Sequence, residues 1–341
     1  MNGSKTLFQA LKTWKDQQPE SISIIETNTE KKISYQQLFN AVFNVGNFLG
    51  TSPLSIVVSL PGGIGNSVVW LTALITGHHL IPVSPQLTNF EYDEVLKKHK
   101  PDFLITETYR AVNGYTMKQL TLSQIETIIA EDREDKNHST QLSDGNIYLE
   151  TSGTTGTPKG MILTATQLII TANLIREQHR LTQRSKGLTP LPFYHVNAPV
   201  VSLLSTILAG GSIIIAPKFS ASHFWEWVQE FDPTWISLVP TIVAILLKFD
   251  KPAFLKNSSL QFVRTASSPL PKANLLKFEK KFDIPVIETY GISEAGSTIF
   301  ANPLPPKEHK PGSVGIPLGV EVKLVDPQNK RVSSNEIGKS Y

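Results

Sequence analysis

Residues 151–160, TSGTTGTPKG, combine the residue types that bind a chain of phosphates. Their glycines and small hydroxyl side chains leave backbone N–H groups uncovered, and Lys159 adds a positive charge, so a polyphosphate could accept several hydrogen bonds there. The usual P-loop differs, because it has Gly and Ser or Thr where this segment has Pro158 and Gly160. A flexible linker is the alternative, but a linker gives no reason for Pro-Lys-Gly soon after the apolar residues 147–149. The segment therefore predicts a polyphosphate site.

Other residues of the second half have chemistry of their own, and each also has an ordinary structural explanation. The carboxylate of Glu294 suits a hard cation such as Mg²⁺, or it is a solvated loop carboxylate. Tyr290 could stack on a flat base or pack in the core. His195 could act at a site, although an isolated histidine is more often structural. Residues 267–269, Ser-Ser-Pro, could line a ligand or simply end a strand.

Alternating strand and helix patterns indicate the elements that position these residues. A β-branched run at 54–60 is followed by a helical pattern at 64–76 and an apolar run at 80–83, and the same rhythm continues from 212 to 289. The alternation predicts an α/β fold of stacked, mostly parallel sheets flanked by helices. Residues 312–326 are rich in Gly and Pro and then alternate between polar and apolar residues, which predicts a small C-terminal β-subdomain.

Two helices are predicted near the start of the chain. Leu7, Leu11 and Trp14 fall on one face of a helix, which predicts an amphipathic N-terminal helix. Ser34 and Gln37 have the spacing of a capping box, which predicts a helix from that point to about residue 49.

A charged segment without apolar periodicity separates the two α/β regions. The sequence EDREDKNHSTQLSD at 131–144 predicts a surface linker. The expected organisation is a first α/β lobe at 1–130, a linker at 131–145, a second α/β lobe with the phosphate loop at 146–310, and the start of the β-subdomain at 311–341.

Composition excludes several classes of protein and of site. The 341 residues carry a net charge of +3 and only short basic clusters, whereas a dedicated nucleic-acid binder has a concentrated basic patch. The absence of cysteine excludes disulfides, thiolate nucleophiles and zinc–sulfur sites, and it fits a cytoplasmic protein. The uncharged residues 187–217 are interrupted by Gly210 and Gly211, so they predict a buried helix, a turn and a strand rather than a membrane span.

The phosphate-loop segment resembles that of the adenylate-forming superfamily of acyl-CoA synthetases, aryl-CoA ligases, luciferases and peptide-synthetase adenylation domains. Four further segments resemble the motifs of this superfamily and occur in its order, namely PFYH at 192–195, RTASSPL at 264–270, YGISE at 290–294 and GSVGIP at 312–317. The resemblance implies the large N-terminal domain of such an enzyme. Within the superfamily, the sequence looks closest to oxalate–CoA ligase-like acyl-CoA synthetases.

The resemblance assigns roles to matching residues. Glu294, together with Thr155, would bind Mg²⁺. Ser293 would donate to the α-phosphate of ATP, His195 would border the acyl pocket, and Tyr290 would stack on the adenine. The residues that would hold the β- and γ-phosphates are Thr151, Ser152, Gly153, Thr154, Thr155, Gly156 and Lys159. The residues that would lie beside the adenine are Ser267, Ser268, Pro269, Tyr290 and Gly291. The predicted catalytic residues are Lys159, His195, Ser293 and Glu294.

The implied reaction joins a small carboxylic acid to coenzyme A. The carboxylate would attack the α-phosphorus of ATP with Mg²⁺, release pyrophosphate and leave an acyl-adenylate, from which a CoA thioester would form. The family's acyl-pocket segment is closer to V-H-G, whereas this chain has Val196-Asn197-Ala198, so the pocket departs from the oxalate pattern. The amino-acid-activating branch places an Asp near this segment, and its absence here favours a simple carboxylic acid.

The family's later motifs, including T-G-D and the lysine of its smaller C-terminal catalytic domain, are absent from these 341 residues. The expectation is therefore a chain that binds ATP and acyl-adenylate but catalyses adenylation weakly or not at all by itself. Two alternatives remain within this resemblance: a non-catalytic nucleotide-binding module that acts with a partner, and an adenylation domain that loads a carrier protein. A serine hydrolase is a third, because residues 291–296 come close to a nucleophile elbow but are one residue too long.

Overall fold

A computed structural model describes residues 2–112, 114–131, 142–151, 159–332 and 339–340 of the chain. Within these residues the α-helices are α1 Gly3–Gln17, α2 Tyr35–Leu49, α3 Ile64–Thr76, α4 Asn89–His99, α5 Leu122–Ala130, α6 Ala165–Gln178, α7 Ser205–Ala209, α8 Phe224–Phe231, α9 Pro240–Leu246 and α10 Lys272–Phe282. A π-helical segment spans Asn197–Leu204, and 3₁₀ turns span Ala253–Asn257 and Ser293–Ala295.

The strands fall into two large sheets and one small one. In chain order they are β1 Ile22–Glu26, β2 Lys32–Ser34, β3 Ser55–Ser59, β4 His79–Pro82, β5 Phe103–Thr106, β6 Lys118–Thr121, β7 Asn146–Thr151, β8 Lys159–Thr164, β9 Lys186–Thr189, β10 Ser212–Ile215, β11 Trp235–Leu238, β12 Phe262–Thr265, β13 Val286–Ile292, β14 Ser297–Ala301, β15 Ile316–Pro317, β16 Leu324–Val325 and β17 Lys339–Ser340.

Both large sheets are mostly parallel, and the nine-stranded sheet is antiparallel at both edges whereas the six-stranded sheet is antiparallel only at its β7–β8 edge. The nine-stranded sheet has the order β15-β14-β13-β12-β11-β9-β10-β1-β2, and the six-stranded sheet has the order β6-β5-β3-β4-β7-β8. The antiparallel pairs are β1 with β2, β13 with β14, β14 with β15, and β7 with β8. The predicted α/β fold of mostly parallel sheets is therefore confirmed.

Strands cross between the two halves of the sequence. The N-terminal β1 and β2 lie in the sheet formed mainly by the second half, and β7 and β8 lie in the sheet formed mainly by the first. The expected lobe boundary at 131–145 stays a prediction, because residues 132–141 lie outside the described residues. In the 311–341 region, β15 joins the nine-stranded sheet, while β16 pairs with β17.

Local sequence signals account for several helices. The capping box predicted from Ser34 and Gln37 is present at the start of α2, and Leu7 and Leu11 of α1 are fully buried. The uncharged region forms the π-helical segment and α7, then a turn, and then β10, as predicted. Helix α7 ends at Gly210, which has a φ of 76°. No helix among the described residues is both long and apolar enough to cross a bilayer.

Asp144 ties the N-terminus of α1 to the start of α6. Its carboxylate accepts hydrogen bonds from the backbone N–H groups of Gly3 (3.4 Å) and Ser4 (2.7 Å) and from the hydroxyl of Thr166 (2.5 Å). Burial of the carboxyl acts to raise its pKa, but the hydrogen bonds from Thr166, Ser4 and Gly3 outweigh it and hold the pKa below the ordinary 3.8. Asp144 therefore caps α1 from a distant part of the chain.

We expect Asp144→Ala to lower the free energy of unfolding by about 1–2 kcal/mol at pH 7, because Ser4 and Thr166 lose a charged acceptor and Gly3 keeps only its hydrogen bond to the Thr166 hydroxyl. The folded pKa is depressed, so this stabilisation is present above pH 3.8 and is lost as the pH falls through the folded pKa. Urea denaturation of both proteins at pH 7 and pH 3 measures the effect. An undiminished difference at pH 3 would contradict a role for the ionised carboxylate.

Candidate active site

A cavity of about 590 Å³, the central cavity, lies at the carboxyl ends of parallel strands in the nine-stranded sheet. Its walls come from the residues that follow β9, β11 and β12 and from the end of β13. Ligands of open α/β sheets bind at this edge. Five predicted site residues line the central cavity, namely His195, Ser267, Gly291, Ser293 and Glu294.

A second cavity of about 260 Å³, the Tyr290 cavity, lies beside the first. All five residues predicted beside an adenine line it, namely Ser267, Ser268, Pro269, Tyr290 and Gly291. The Tyr290 side chain is 44% exposed, so its ring is open to a ligand instead of packed in the core. The sequence motifs at 264–270 and 290–294, separated by some twenty residues, thus meet at one cavity.

Glu288 and Gly312 close the Tyr290 cavity on another side. The Glu288 carboxylate accepts a hydrogen bond of 2.7 Å from the backbone N–H of Gly312. This hydrogen bond joins β13 to the GSVGIP motif at 312–317. Burial raises the pKa of this carboxyl above its ordinary 4.5.

A third cavity of about 230 Å³, the Tyr148 cavity, connects the central cavity to the six-stranded sheet. It shares His195, Val196 and Ser293 with the central cavity, and its far wall includes Tyr148 and Glu150 of β7. Glu150 immediately precedes the predicted phosphate loop in the sequence, so the strand that leads into that loop lines the same cavity as Ser293.

The predicted phosphate loop lies between β7 and β8. Residues 152–158, which include predicted Ser152, Gly153, Thr154, Thr155 and Gly156, lie outside the described residues. The backbones of Thr151 and Lys159 are paired in the β7–β8 hairpin, and α6 begins six residues after Lys159. Along the chain, β8 therefore comes between the predicted loop and α6.

Gly291 and Ser267 form the boundary between the Tyr290 cavity and the central cavity. A Cβ atom at Gly291 would lie 1.8 Å from the backbone carbonyl oxygen of Ser297, so only glycine fits beside β14 at this point. Ser267 has a φ of 76°, and its hydroxyl accepts a hydrogen bond of 3.1 Å from the side-chain amide of Asn197. The wall between the two cavities is thus fixed by a close backbone contact at Gly291 and a side-chain hydrogen bond at Ser267.

Glu294 lies at the mouth of the central cavity, in the 3₁₀ turn that follows β13. Its side chain is exposed, and a carboxylate at an open site suits Mg²⁺, which keeps several water ligands and is completed by substrate phosphates. The described residues contain no cluster of three or more His, Asp or Glu side chains that could hold a metal without such help. Glu294 therefore fits a cation that arrives already bound to a phosphate. Thr155, the other residue predicted to bind Mg²⁺, lies outside the described residues.

His195 is suited to orient a ligand as a neutral imidazole. The residue is exposed and lines both the central and the Tyr148 cavities, and partial desolvation there lowers its pKa below the ordinary 6.5. In the described part of the chain, no hydrogen bond joins His195 to Ser293 and no carboxylate contacts the imidazole. The base and orienting acid that a serine hydrolase needs beside Ser293 are therefore missing from these residues.

Arg264 is a site residue whose importance the sequence analysis missed. Its side chain is 1% exposed and lines the central cavity. Its guanidinium donates hydrogen bonds to Asn197 Oδ1 (2.7 Å), Ser237 Oγ (3.3 Å) and Thr298 Oγ1 (3.0 Å). Burial lowers its pKa to about 9. The sequence signal that could have indicated this residue is an arginine directly after the apolar Phe262 and Val263 of a strand pattern.

Comparison with known proteins places these observations in context. The family described as AMP-binding enzyme matches residues 11–340. The chain is 36% identical over 192 residues to the sulfoacetate–CoA ligase of Cupriavidus necator, which covers 56% of this chain and 37% of that protein. It is 35% identical over 196 residues to the oxalate–CoA ligase of Saccharomyces cerevisiae, which covers 58% of this chain and 36% of that protein. The matched segments thus span less than half the length of these two relatives.

The fold also matches solved structures. The ATP-bound MatB of Rhodopseudomonas palustris superposes with a TM-score of 0.86 and 24% sequence identity, over 100% of this chain and 70% of that one. At this level of identity the likeness shows a shared fold, and it confirms the architecture predicted from the sequence.

Proposed function

Since the chain belongs to the family of AMP-binding enzymes, we propose that it binds the nucleotide and the acid of an ATP-dependent acid–CoA ligase. The observation that carries the proposal is the group of three neighbouring cavities, which share lining residues and which are lined by motif residues of distant segments. The relatives named as sulfoacetate– and oxalate–CoA ligases support a small carboxylic acid as the substrate.

In this proposal the Tyr290 cavity takes the adenine and the central cavity takes the acid. Tyr290 stacks on the base, while residues 267–269 lie along its edge. Glu294 at the mouth of the central cavity holds Mg²⁺, which neutralises phosphate charge when bound. Thr151, Lys159 and the loop residues between them bind the β- and γ-phosphates.

The chemistry is the attack of a carboxylate oxygen on the α-phosphorus of ATP, with release of pyrophosphate. Both reactants are anionic, so the protein must offset their repulsion with oriented donors and positive charge, without acid–base catalysis. Ser293 donates a hydrogen bond toward the α-phosphate, and Lys159 supplies positive charge. His195, neutral because partial desolvation lowers its pKa, orients the acid at the wall between the central and Tyr148 cavities.

Coenzyme A is the proposed acceptor, and its thiol end would approach through the Tyr148 cavity, which meets the central cavity at His195 and Ser293. A carrier-protein arm is the alternative acceptor. The alternative to a ligase is a non-catalytic nucleotide-binding module that acts with a partner. The cytoplasm remains our expectation for the location.

An exchange assay separates a ligase from a module that only binds nucleotide. Acid-dependent exchange of labelled pyrophosphate into ATP, by the chain alone or with the C-terminal catalytic domain of a related ligase added in trans, indicates adenylate formation. ATP binding without exchange in either case, under every acid of a carboxylate panel, indicates a binding module. Absence of ATP binding in calorimetry would refute both.

We expect Tyr290→Ala to weaken ATP binding about tenfold or more, because stacking of an aromatic ring on a base contributes about 1–3 kcal/mol. The melting temperature should hardly change, since the side chain is already 44% exposed. Isothermal titration with ATP measures the affinity. Tyr109→Ala is the control, because Tyr109 is 71% exposed and lines none of the three cavities. Equal losses in both variants would contradict the stacking role.

A further inference from the structure

Arg264 is a buried cation without a buried anion. Its three hydrogen-bond acceptors are an amide oxygen and two hydroxyl oxygens, all of them neutral. Its Nε has no hydrogen-bond partner, and within the described ranges no carboxylate forms an ion pair with the guanidinium. A buried charge is costly unless an opposite charge compensates it, so this arrangement is complete only when an anion is supplied.

The cavity next to Arg264 is the route by which an anion can arrive. Arg264, Asn197 and Thr298 all line the central cavity, and the arginine, at 1% exposure, belongs to its buried part. Glu294 is exposed at the mouth of the same cavity, on the side where the phosphates are proposed to bind. An acid that places one carboxylate near Glu294 and Ser293 would direct the other end of the molecule toward Arg264.

We infer that Arg264 binds a second anionic group on the acid substrate, so the substrate class is a small acid with two anionic ends, such as a dicarboxylate or a sulfocarboxylate. The inference rests on the proposed function. That function places the reacting carboxylate of the acid in the central cavity, and the inference adds a binding partner for the other end of the same molecule. Arginine suits this role, since its planar fork of N–H donors matches carboxylate and sulfonate oxygens.

Support of the cavity wall is the competing explanation for Arg264. The side chain does link Asn197, Ser237 and Thr298, which lie on the π-helical segment, β11 and β14. A support of this kind requires hydrogen-bond donors but no net charge. The two roles therefore differ in one measurable property, which is the preference for a charged over a neutral tail.

The test compares two adenylate analogues that share their nucleotide part. One is 5′-O-(N-malonyl)sulfamoyl-adenosine, and the other carries 3-methylbutanoyl, a neutral tail with the same number and branching of heavy atoms. We expect wild type to bind the malonyl analogue about 30-fold more tightly, which corresponds to about 2 kcal/mol. Arg264→Met should reduce this ratio to near one, and Arg264→Lys should retain part of it. Arg184→Met, a change at an exposed arginine, should leave the ratio at its wild-type value.

The outcomes separate the inference from the function on which it rests. Tight and equal binding of both analogues by wild type would overturn the inference and leave the proposed function standing. Binding of neither analogue would overturn the proposed function. If Arg264→Met fails to fold, Arg264→Gln, which keeps hydrogen-bond donors but carries no charge, takes its place: a ratio near one supports the inference, and the wild-type ratio overturns it.

Discussion

Glu294→Gln is expected to weaken MgATP binding about tenfold or more, while binding of ATP without magnesium stays equal or becomes tighter. With the cation, the variant loses a charged oxygen ligand at the cavity mouth. Without the cation, the wild-type carboxylate repels the phosphates, and glutamine removes that repulsion. Isothermal titrations of both proteins, with magnesium and with EDTA, measure the four affinities.

The dependence on magnesium is what distinguishes a metal-binding role for Glu294 from a general effect on the site. Glu20→Gln is a matched control, because Glu20 is an exposed glutamate that lines none of the three cavities. An equal loss of affinity for Glu294→Gln with magnesium and with EDTA would show that the carboxylate does not act through the cation.

Gly291→Ala is expected to lower the free energy of unfolding by about 3 kcal/mol and to abolish ATP binding. The new Cβ would lie 1.8 Å from the carbonyl oxygen and 2.4 Å from the carbonyl carbon of Ser297, and backbone atoms cannot rotate away as side chains do. Strands β13 and β14 must therefore separate, at a cost at the top of the range for overpacking. Because Gly291 lies on the wall between two cavities, the same shift deforms both.

Urea denaturation and ATP titration together test this expectation. Gly114→Ala is the control, because no described atom lies within 4 Å of the place its new Cβ would take. Its only cost is the strain of a side chain at a φ of 81°, about 1 kcal/mol, which Gly291 does not share. Similar destabilisation of the two variants would mean that the contact with Ser297 is relieved at little cost.

Local patterns in the sequence predicted the elements well because their causes are local. The capping box at Ser34 and Gln37 and the apolar face with Leu7 and Leu11 each depend on residues within one or two turns. The alternation of strands and helices predicted parallel sheets, and the motif order predicted the family to which the chain belongs.

Pairings between distant segments could not be predicted in this way. The placement of β1 beside β10 depends on contacts between residues nearly two hundred positions apart, which no local pattern encodes. Strand β8, three of whose residues are apolar, was missed because helix and strand patterns are alike over so short a run.

The same limit applies to the candidate site. The motif residues were predicted by their resemblance to a family, and the structure brings those of 264–270 and 290–294 to shared cavities. The anion-binding role of Arg264 could not be predicted from the sequence, because it depends on the burial of the side chain and on its neutral partners. Those partners, Asn197, Ser237 and Thr298, come from three other segments of the chain. The roles proposed for 152–158 stay predictions, since these residues lie outside the described ones.

The two shared walls arrange the cavities in a row, with the central one between its neighbours. An inhibitor assembled from two fragments, each fitted to an end compartment, would have to run its linker past Gly291 on one side and past His195 on the other. The central cavity, at about 590 Å³, has more room than either end compartment, so bulky groups would be rejected only at the two points where the compound passes these walls. Selectivity among related proteins would therefore depend on the groups placed at those two points.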